Sequence, residues 1–396
     1  MSTNFLEIRS LQLRHTGLWI IWSDGHSEEY SYSWLRQNCH CEQCYNSSTG
    51  QRRAALADDD LKQQPKSAFI ADNKLTVNIH WDIRHLGRYP VEQLSAYKKP
   101  PNNYYQYAKQ EMLLTIPFQD YIFDDQSRWR LLQGLNQHGI VLLTDVPTQE
   151  DTIRQVAARI APIQRTIYGE VYDVCVEDKP INIAYTDEEL PLHMDLIYYE
   201  SPPGLQLLHC LRFNETVTGG LSTFLDAFKV AEQFQRTDPD AFSTLCRLPG
   251  CFQKIHRDRE QPVNIIYQRP HIVTNCYQEI IGVNWSPPFE GPVRLKSDDL
   301  ADYYQAYDKF AGCMANGFNA YGYEFRLKPG DLVIFNNRRF VHGRQKIGNI
   351  ISKTDRWLQG CYISIDDFVN QFRLAHQQYA EHEPIYHFAN QNYFEQ

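Results

Sequence analysis

The chain has 396 residues, 42% hydrophobic and 22% charged, with a formal net charge of −9, which is the balance of a folded globular protein. The acidic excess excludes a general binder of nucleic acid or anionic membrane, because no surplus of cations exists to neutralise phosphates. No apolar run reaches the roughly 18 residues that span a bilayer, and the start, MSTNFLEIRSLQLRH, lacks a secretory core and carries an acidic Glu7, so the expected location is cytoplasmic.

In chain order, GLWIIWSDGHSEEYSY offers two strand-like runs about Asp24-Gly25, a hairpin signal. LRQNCHCEQCYNSSTGQR follows, with Cys39, Cys41 and Cys44 close enough to share one Zn²⁺. A fourth ligand must come from elsewhere, and His40, His80 and His85 are the candidates. His40 lies between the thiols and would strain the loop. The other seven of the ten cysteines stand singly and read as buried free thiols of a reducing compartment. LTVNIHW alternates, with Leu75, Val77, Ile79 and Trp81 on one face and Thr76, Asn78 and His80 on the other. YKKPPNNYY, near residues 97 to 105, reads as a linker. It divides a small β-rich domain, 1–100, from a larger one, 101–396.

The larger segment opens with a buried strand in HGIVLLTDV. PTQEDTIRQVAARIAPI predicts a helix with Thr148 as N-cap and Asp151 three later. Ile153, Val156, Ala157 and Ile160 share a face, and Pro162 follows. GLQLLHCLRF is a strand in which His209 alternates with leucines and reads as core. KIHRDREQ reads as a solvated loop. SDDLADYYQAYDKFAGCM predicts a helix capped by Ser297, with Leu300, Tyr304, Tyr307 and Ala311 on one face. GDLVIFNN is a further strand. Many short strands with a few covering helices make the expected fold mainly β, a double sheet of jelly-roll type.

His-x-Asp occurs three times, at His80, His193 and His256, so the pattern alone decides nothing. His193 and Asp195 differ from the other copies by lying in an apolar, aromatic run, PLHMDLIYY. On a strand the two would share a face. A non-haem Fe(II) oxygenase needs two imidazoles and one carboxylate. Downstream, KPGDLVIFNNRRFVHGR supplies His342. DRWLQGCYIS then places Arg356, Leu358, Gly360, Tyr362 and Ser364 on one strand face. An arginine there could grip a dicarboxylate through its planar fork.

Taken together, PLHMD, PPGLQLLHC, VTGG, KPGDLVIFNN, VHGR and DRWLQGCYIS resemble the γ-butyrobetaine dioxygenase and trimethyllysine dioxygenase branch of the taurine dioxygenase-like, 2-oxoglutarate-dependent oxygenases. The resemblance runs over nearly the whole chain. It implies a double-stranded β-helix with Fe(II) on His193, Asp195 and His342. It implies 2-oxoglutarate on Arg356 and Thr218, and structural Zn(II) on Cys39, Cys41, Cys44 and His85. Dioxygen as co-substrate, ascorbate as reductant and a homodimer are implied as well.

A trimethylammonium group has no N–H and is recognised by aromatic faces. The resemblance implies Tyr168, Tyr185 and Tyr362 as such faces, with Tyr172 where the family has tryptophan. Asn182 and Asn284 would stand near the substrate carboxylate. Leu196 departs from the pattern, replacing a tyrosine that also holds that carboxylate. Asn182 and Tyr185, three apart, share a pocket only if a bulge or turn lies between them. The expected activity is hydroxylation of γ-butyrobetaine to carnitine. Trimethyllysine or another quaternary ammonium compound is the alternative substrate, and a zinc-stabilised jelly-roll binding protein is the non-enzyme alternative.

Overall fold

The computed structural model describes residues 6–53, 61–95, 113–258 and 260–380, and these fall into two compact units. The linker expected at 97–105, and the boundary with it, lies outside the described residues. Among the described residues no helix is long and apolar enough to cross a membrane.

The N-terminal unit is built on two three-stranded antiparallel sheets. One orders Ile8–Leu13, Gly17–Trp22 and Ser27–Ser31; the other orders Ser67–Ile70, Thr76–His80 and Leu86–Pro90. The expected hairpin turns at Gly25, whose φ of 89° favours glycine. Leu18, Ile20, Trp22, Val77, Ile79 and Trp81 close the core between the sheets, as alternation requires. Two local features prepare the cysteine site. The Ser31 hydroxyl accepts from Trp34 N and caps the helix Tyr32–Gln37, which delivers the chain to Cys39. After Thr76–His80, the Trp81 N–H donates to the His85 carbonyl at 3.0 Å, so the chain doubles back at once.

The larger unit is a double-stranded β-helix. Its six-stranded sheet runs Val171–Val174, Arg356–Ile363, Leu205–Phe213, Leu332–Asn336, Ile140–Thr144, Thr115–Pro117. The facing four-stranded sheet runs Leu190–His193, Phe340–Arg344, Ser222–Asp226, Gly322–Phe325. Alternation sorts the six-stranded sheet. Leu205, Leu207, Ile334, Cys361 and Ile363 pack outward against helices. Leu208, Cys210, Val333, Phe335 and Leu358 pack inward with Phe224 and Phe340 of the other sheet. His209 is fully buried in its strand.

Several local expectations shift. The helix Thr152–Ile160 starts beyond Thr148, with Asp151 at the N-cap and no side-chain cap bond. A turn closed by Thr152 N to the Gln149 carbonyl occupies the residues before it. Its buried face, Ile153, Val156, Ala157 and Ile160, is the expected one. The helix Ser297–Tyr321 has Lys296, not Ser297, at its N-cap, and buries Tyr303, Ala306, Phe310 and Met314. The expected face is rotated by about one residue, and Tyr304 is 51% exposed. His256 ends a strand, Pro249–His256, instead of lying in a loop. Cys276 is exposed, unlike the other single cysteines.

Gly204 packs where a Cβ would strike the backbone N and Cα of Ile365. Gly204→Ala is expected to cost about 1–3 kcal/mol or more, because backbone cannot step aside; chemical denaturation measures it. Burial pushes His209 and His271 down to about 4. The unfolded chain protonates them near 6.5 and the folded one does not, so stability falls with pH between about 6.5 and 4. From pH 7 to 5 each is expected to remove about 2 kcal/mol. His209→Leu should shrink that loss by its share in denaturant melts at the two pH values.

Candidate active site and metal centres

The edge strand Leu190–His193 pairs antiparallel with Phe340–Arg344, and the register sets His193 opposite His342. Opposite residues project to one face, and the imidazole centroids stand 4.4 Å apart. Asp195 reaches them by a different route from the one expected. The strand ends at His193, and Asp195 lies in the turn that follows, ahead of Leu196 at φ 55°. Asn337 fixes this turn: its carbonyl oxygen accepts from Asp195 N at 2.9 Å, and its amide donates to the Asp195 carbonyl at 3.0 Å.

Asp195 Oδ1 is 3.2 Å from His193 Nε2, and Oδ2 is 3.9 Å from His342 Nε2. Ligand atoms from the three residues all lie within 4.8 Å of one another. Ligands at right angles on bonds of about 2.1 Å stand roughly 3 Å apart, so the set has the scale of a metal site. His193 Nδ1 lies 2.8 Å from the Pro191 carbonyl. A carbonyl only accepts, so Nδ1 carries the proton and the Nε2 lone pair faces a carboxylate oxygen. Two acceptors so close need a proton or a cation between them. Burial, then the charge of His193, pushes His342 down to about 3, leaving the neutral form that binds metals. Burial opposes the charge on Asp195, but a proton on His193 Nε2, hydrogen-bonded to Oδ1, holds its carboxyl below the usual range, and a bound cation would take that proton's place. Donor chemistry and spacing both fit iron.

These residues open on a cavity of about 710 Å³, its solvent-facing mouth included. Tyr168, Tyr172, Tyr185, Tyr198, Tyr362 and Phe289 line it, with Arg344 and Arg356. Tyr172 stacks on Tyr362 at 5.2 Å, and Tyr168 tilts against Tyr172 at 5.9 Å. Gly360 makes this possible, because a Cβ there would meet the Tyr172 ring. Burial raises the Tyr172, Tyr198 and Tyr362 phenols well above the usual range, so they keep their protons. Asn182 and Tyr185 both line the cavity. Asn182 caps the 3₁₀ turn Ile183–Tyr185, whose three residues per turn superimpose positions three apart. Asn182 Nδ2 donates to the Tyr168 hydroxyl at 3.0 Å.

Two sequence-based assignments do not reach the cavity. Thr218 is exposed, on a short ribbon paired with Ile347–Gly348. The hydroxyl in the lining is that of Ser222. Asn284 is buried with its amide donating to the Pro270 carbonyl at 2.6 Å. Ser222, Gln206, Tyr198, Arg344 and Asn337 were not read from the sequence. Gln206 carried a signal, being a polar residue inside the apolar run GLQLLHC. Arg344 donates to the carbonyls of Ala184, Thr186 and Glu188, tying down the segment that carries Tyr185. Arg356 is 3% exposed, its Nε has no hydrogen-bond partner among the described residues, and its guanidinium stands 5.3 Å over the Phe213 ring. Burial, then the neighbouring charge of Arg344, pushes it down to about 9. A buried guanidinium in that state fits an anionic ligand.

In the N-terminal unit, His85 Nε2 lies 3.4, 3.3 and 3.4 Å from the Sγ atoms of Cys39, Cys41 and Cys44. Sulfur and nitrogen on a tetrahedral zinc stand roughly 3.5 Å apart, so the four fit a closed structural site. Burial and the neighbouring thiols push Cys39 up to about 12, a cost that a dication removes. Arg36 donates to Cys44 Sγ at 3.5 Å. His40 stacks on Tyr45 at 4.3 Å, and His80 sits in a strand; neither joins the cluster.

Residues 99–362 match the model of the taurine catabolism dioxygenase TauD, TfdA family. The chain belongs to this family and is an enzyme of the dioxygenase class. Residues 10–95 match the model described as gamma-butyrobetaine hydroxylase-like, N-terminal. The dioxygenase str8 of Strobilurus tenacellus is 29% identical, covering 88% of this chain and 85% of that one. A gamma-butyrobetaine dioxygenase of Pseudomonas sp. (strain AK-1) is 29% identical, covering 90% and 93%. The mitochondrial trimethyllysine dioxygenase of Bos taurus is 27% identical, covering 87% and 82%.

An unpaired buried charge costs stability. Arg356→Met, which removes it while keeping length, is therefore expected to leave the melting temperature of the ligand-free protein unchanged or higher. Thermal unfolding without ligands checks this, and a clear fall would show that Arg356 is satisfied within the fold.

Proposed function

We propose that the protein is an Fe(II)- and 2-oxoglutarate-dependent hydroxylase of a small trimethylammonium compound, with γ-butyrobetaine as the first substrate to test. The observation that carries the reading is one cavity lined by two imidazoles, a carboxylate, a tyrosine box and a buried arginine with its Nε unpartnered. His193, Asp195 and His342 would hold the iron. Arg356 would grip the distal carboxylate of 2-oxoglutarate, with the Ser222 hydroxyl in the same lining. When bound, the pair supplies the oxidising power: 2-oxoglutarate leaves as succinate and CO₂ as dioxygen is divided between it and a substrate C–H bond.

The chain's own side chains do the rest by placement. Tyr168, Tyr172, Tyr185 and Tyr362 would surround the quaternary ammonium, each face contributing about 0.5–2 kcal/mol when desolvated. Leu196, Leu208 and Phe289 of the lining keep water from the reacting end. Asn182 would face the substrate's far end. Leu196 is apolar and Asn284 is turned away, so γ-butyrobetaine's carboxylate has few polar partners here. This favours keeping trimethyllysine and a phosphonate analogue in the panel. For the N-terminal cluster we propose structural zinc on Cys39, Cys41, Cys44 and His85.

The test is purified protein with Fe(II), ascorbate and 2-oxoglutarate, scoring succinate against γ-butyrobetaine, trimethyllysine and other quaternary ammonium compounds. Substrate-stimulated succinate is expected from at least one, and none from any would overturn the reading. His342→Ala is expected to abolish turnover. Cys41→Ala is expected to release zinc and lower the melting temperature, with turnover retained in whatever fraction stays folded.

A further inference from the structure

The ring box and the metal-binding carboxylate share a hydrogen-bonded unit. Gln206 is 2% exposed and reaches the cavity from the inner face of Leu205–Phe213. Its Nε2 donates to Asp195 Oδ2 at 2.7 Å and to the Tyr172 hydroxyl at 3.1 Å. Tyr362 donates to the same Oδ2, also at 2.7 Å, while its ring stacks on Tyr172 at an interplanar angle of 24°. A carboxylate oxygen only accepts, so the amide must present nitrogen to Asp195; the flipped form would oppose two acceptors. The two donors use both lone pairs of Oδ2. Oδ1 is left 3.2 Å from His193 Nε2.

We infer that Gln206 and Tyr362 are positioning residues for the metal. They hold Asp195 with Oδ1 turned to the ion, and they join that carboxylate to the Tyr172–Tyr362 ring pair. The inference rests on the iron reading of His193, Asp195 and His342. A free carboxylate can turn and bind through both oxygens, filling a position that the co-substrates need. Two short donors on Oδ2 oppose that turn. Outer partners of metal ligands typically change affinity by about 10–100-fold when removed. Tyr362 thus has two separable roles, a ring toward substrate and a hydroxyl toward Asp195.

The test is anaerobic Mn(II) binding to the zinc-loaded full chain, followed by electron paramagnetic resonance. Mn(II) prefers oxygen and nitrogen ligands to thiolates. Tyr362→Phe and Gln206→Met are each expected to weaken binding about 10-fold or more and to alter the bound-ion spectrum. Tyr172→Phe keeps both donors on Asp195 and is expected to bind within about threefold of the parent, below the range for a lost outer partner. A purely structural role would lower melting temperature without changing the spectrum, which is why both are read. Should Gln206→Met not fold, Gln206→Leu removes the amide donor with a different packing, and Tyr362→Phe tests the second donor independently, with the same loss expected. Parent protein that binds no Mn(II) overturns the iron reading and this inference together. Parent that binds, with Tyr362→Phe and the Gln206 variant binding as well and with the same spectrum, overturns this inference alone.

Discussion

The chemistry of the larger unit depends on strand register. His193 faces His342 because Leu190–His193 and Phe340–Arg344 pair antiparallel in one particular alignment. A slip of one residue would send one imidazole to the opposite face of the sheet. The partner strand is itself held from both sides, since Phe340–Arg344 also pairs with Ser222–Asp226. The third group, Asp195, is outside the ladder and needs its own fixing. Asn337, just after Leu332–Asn336, supplies it by bonding both backbone groups of Asp195. The connection from Leu332–Asn336 in one sheet to Phe340–Arg344 in the other thus also aims Asp195, and brings two distant parts of the chain together.

The small unit solves the same problem locally. Three of its four clustered side chains lie within a few residues, and the fourth arrives through one turn after a strand. A domain of this size has a limited apolar core, here two small sheets closed by residues such as Trp22, Trp81 and Tyr89. A metal that binds only the folded form would add its binding free energy to that core. The Arg36 contact to Cys44 places a positive charge against a set that, as three thiolates, one neutral imidazole and a dication, would carry net negative charge.

Period-two and helical patterns were legible within regular elements. They gave the hairpin at Gly25, the alternation of LTVNIHW, the strand at Ile140–Thr144 and the inward face of Arg356–Ile363. His193 and Arg356 were read on strands and lie on strands, whereas His342, read beyond a loop, lies within the strand Phe340–Arg344. Asp195 was placed with His193 by an alternation that the chain does not use. The pairing survives because a turn clamped by Asn337 reproduces it, and a residue so far away in sequence cannot be read from local pattern. Helix starts failed where the cap is a backbone turn and not a hydroxyl, at Asp151 and Lys296. Thr218 and Asn284 fall outside the cavity lining for another reason: resemblance carries residue type, whereas where a side chain sits is set by a two-residue ribbon or a competing carbonyl. Gln206 was visible as a polar residue in an apolar strand, but its partner Tyr362 is distant in sequence and adjacent only through strand pairing.

Two buried arginines show what separates structure from function in this fold. Arg339 is 5% exposed and bonds Asp226 through Nε and Nη2, with Nη2 at 2.6 Å. Asp226 meanwhile caps the helix Ala227–Thr237, so both charges are satisfied within the fold. Arg356 is as deeply buried, yet what acts on it is burial and another arginine. The desolvation cost of Arg339 is thus offset inside the fold, whereas that of Arg356 Nε is not. A chain shaped by stability alone would place an apolar residue at 356, where Leu358 and Phe213 already provide apolar surroundings. An anion entering the cavity would offset that cost, which is the physical ground for the proposed carboxylate-bearing co-substrate.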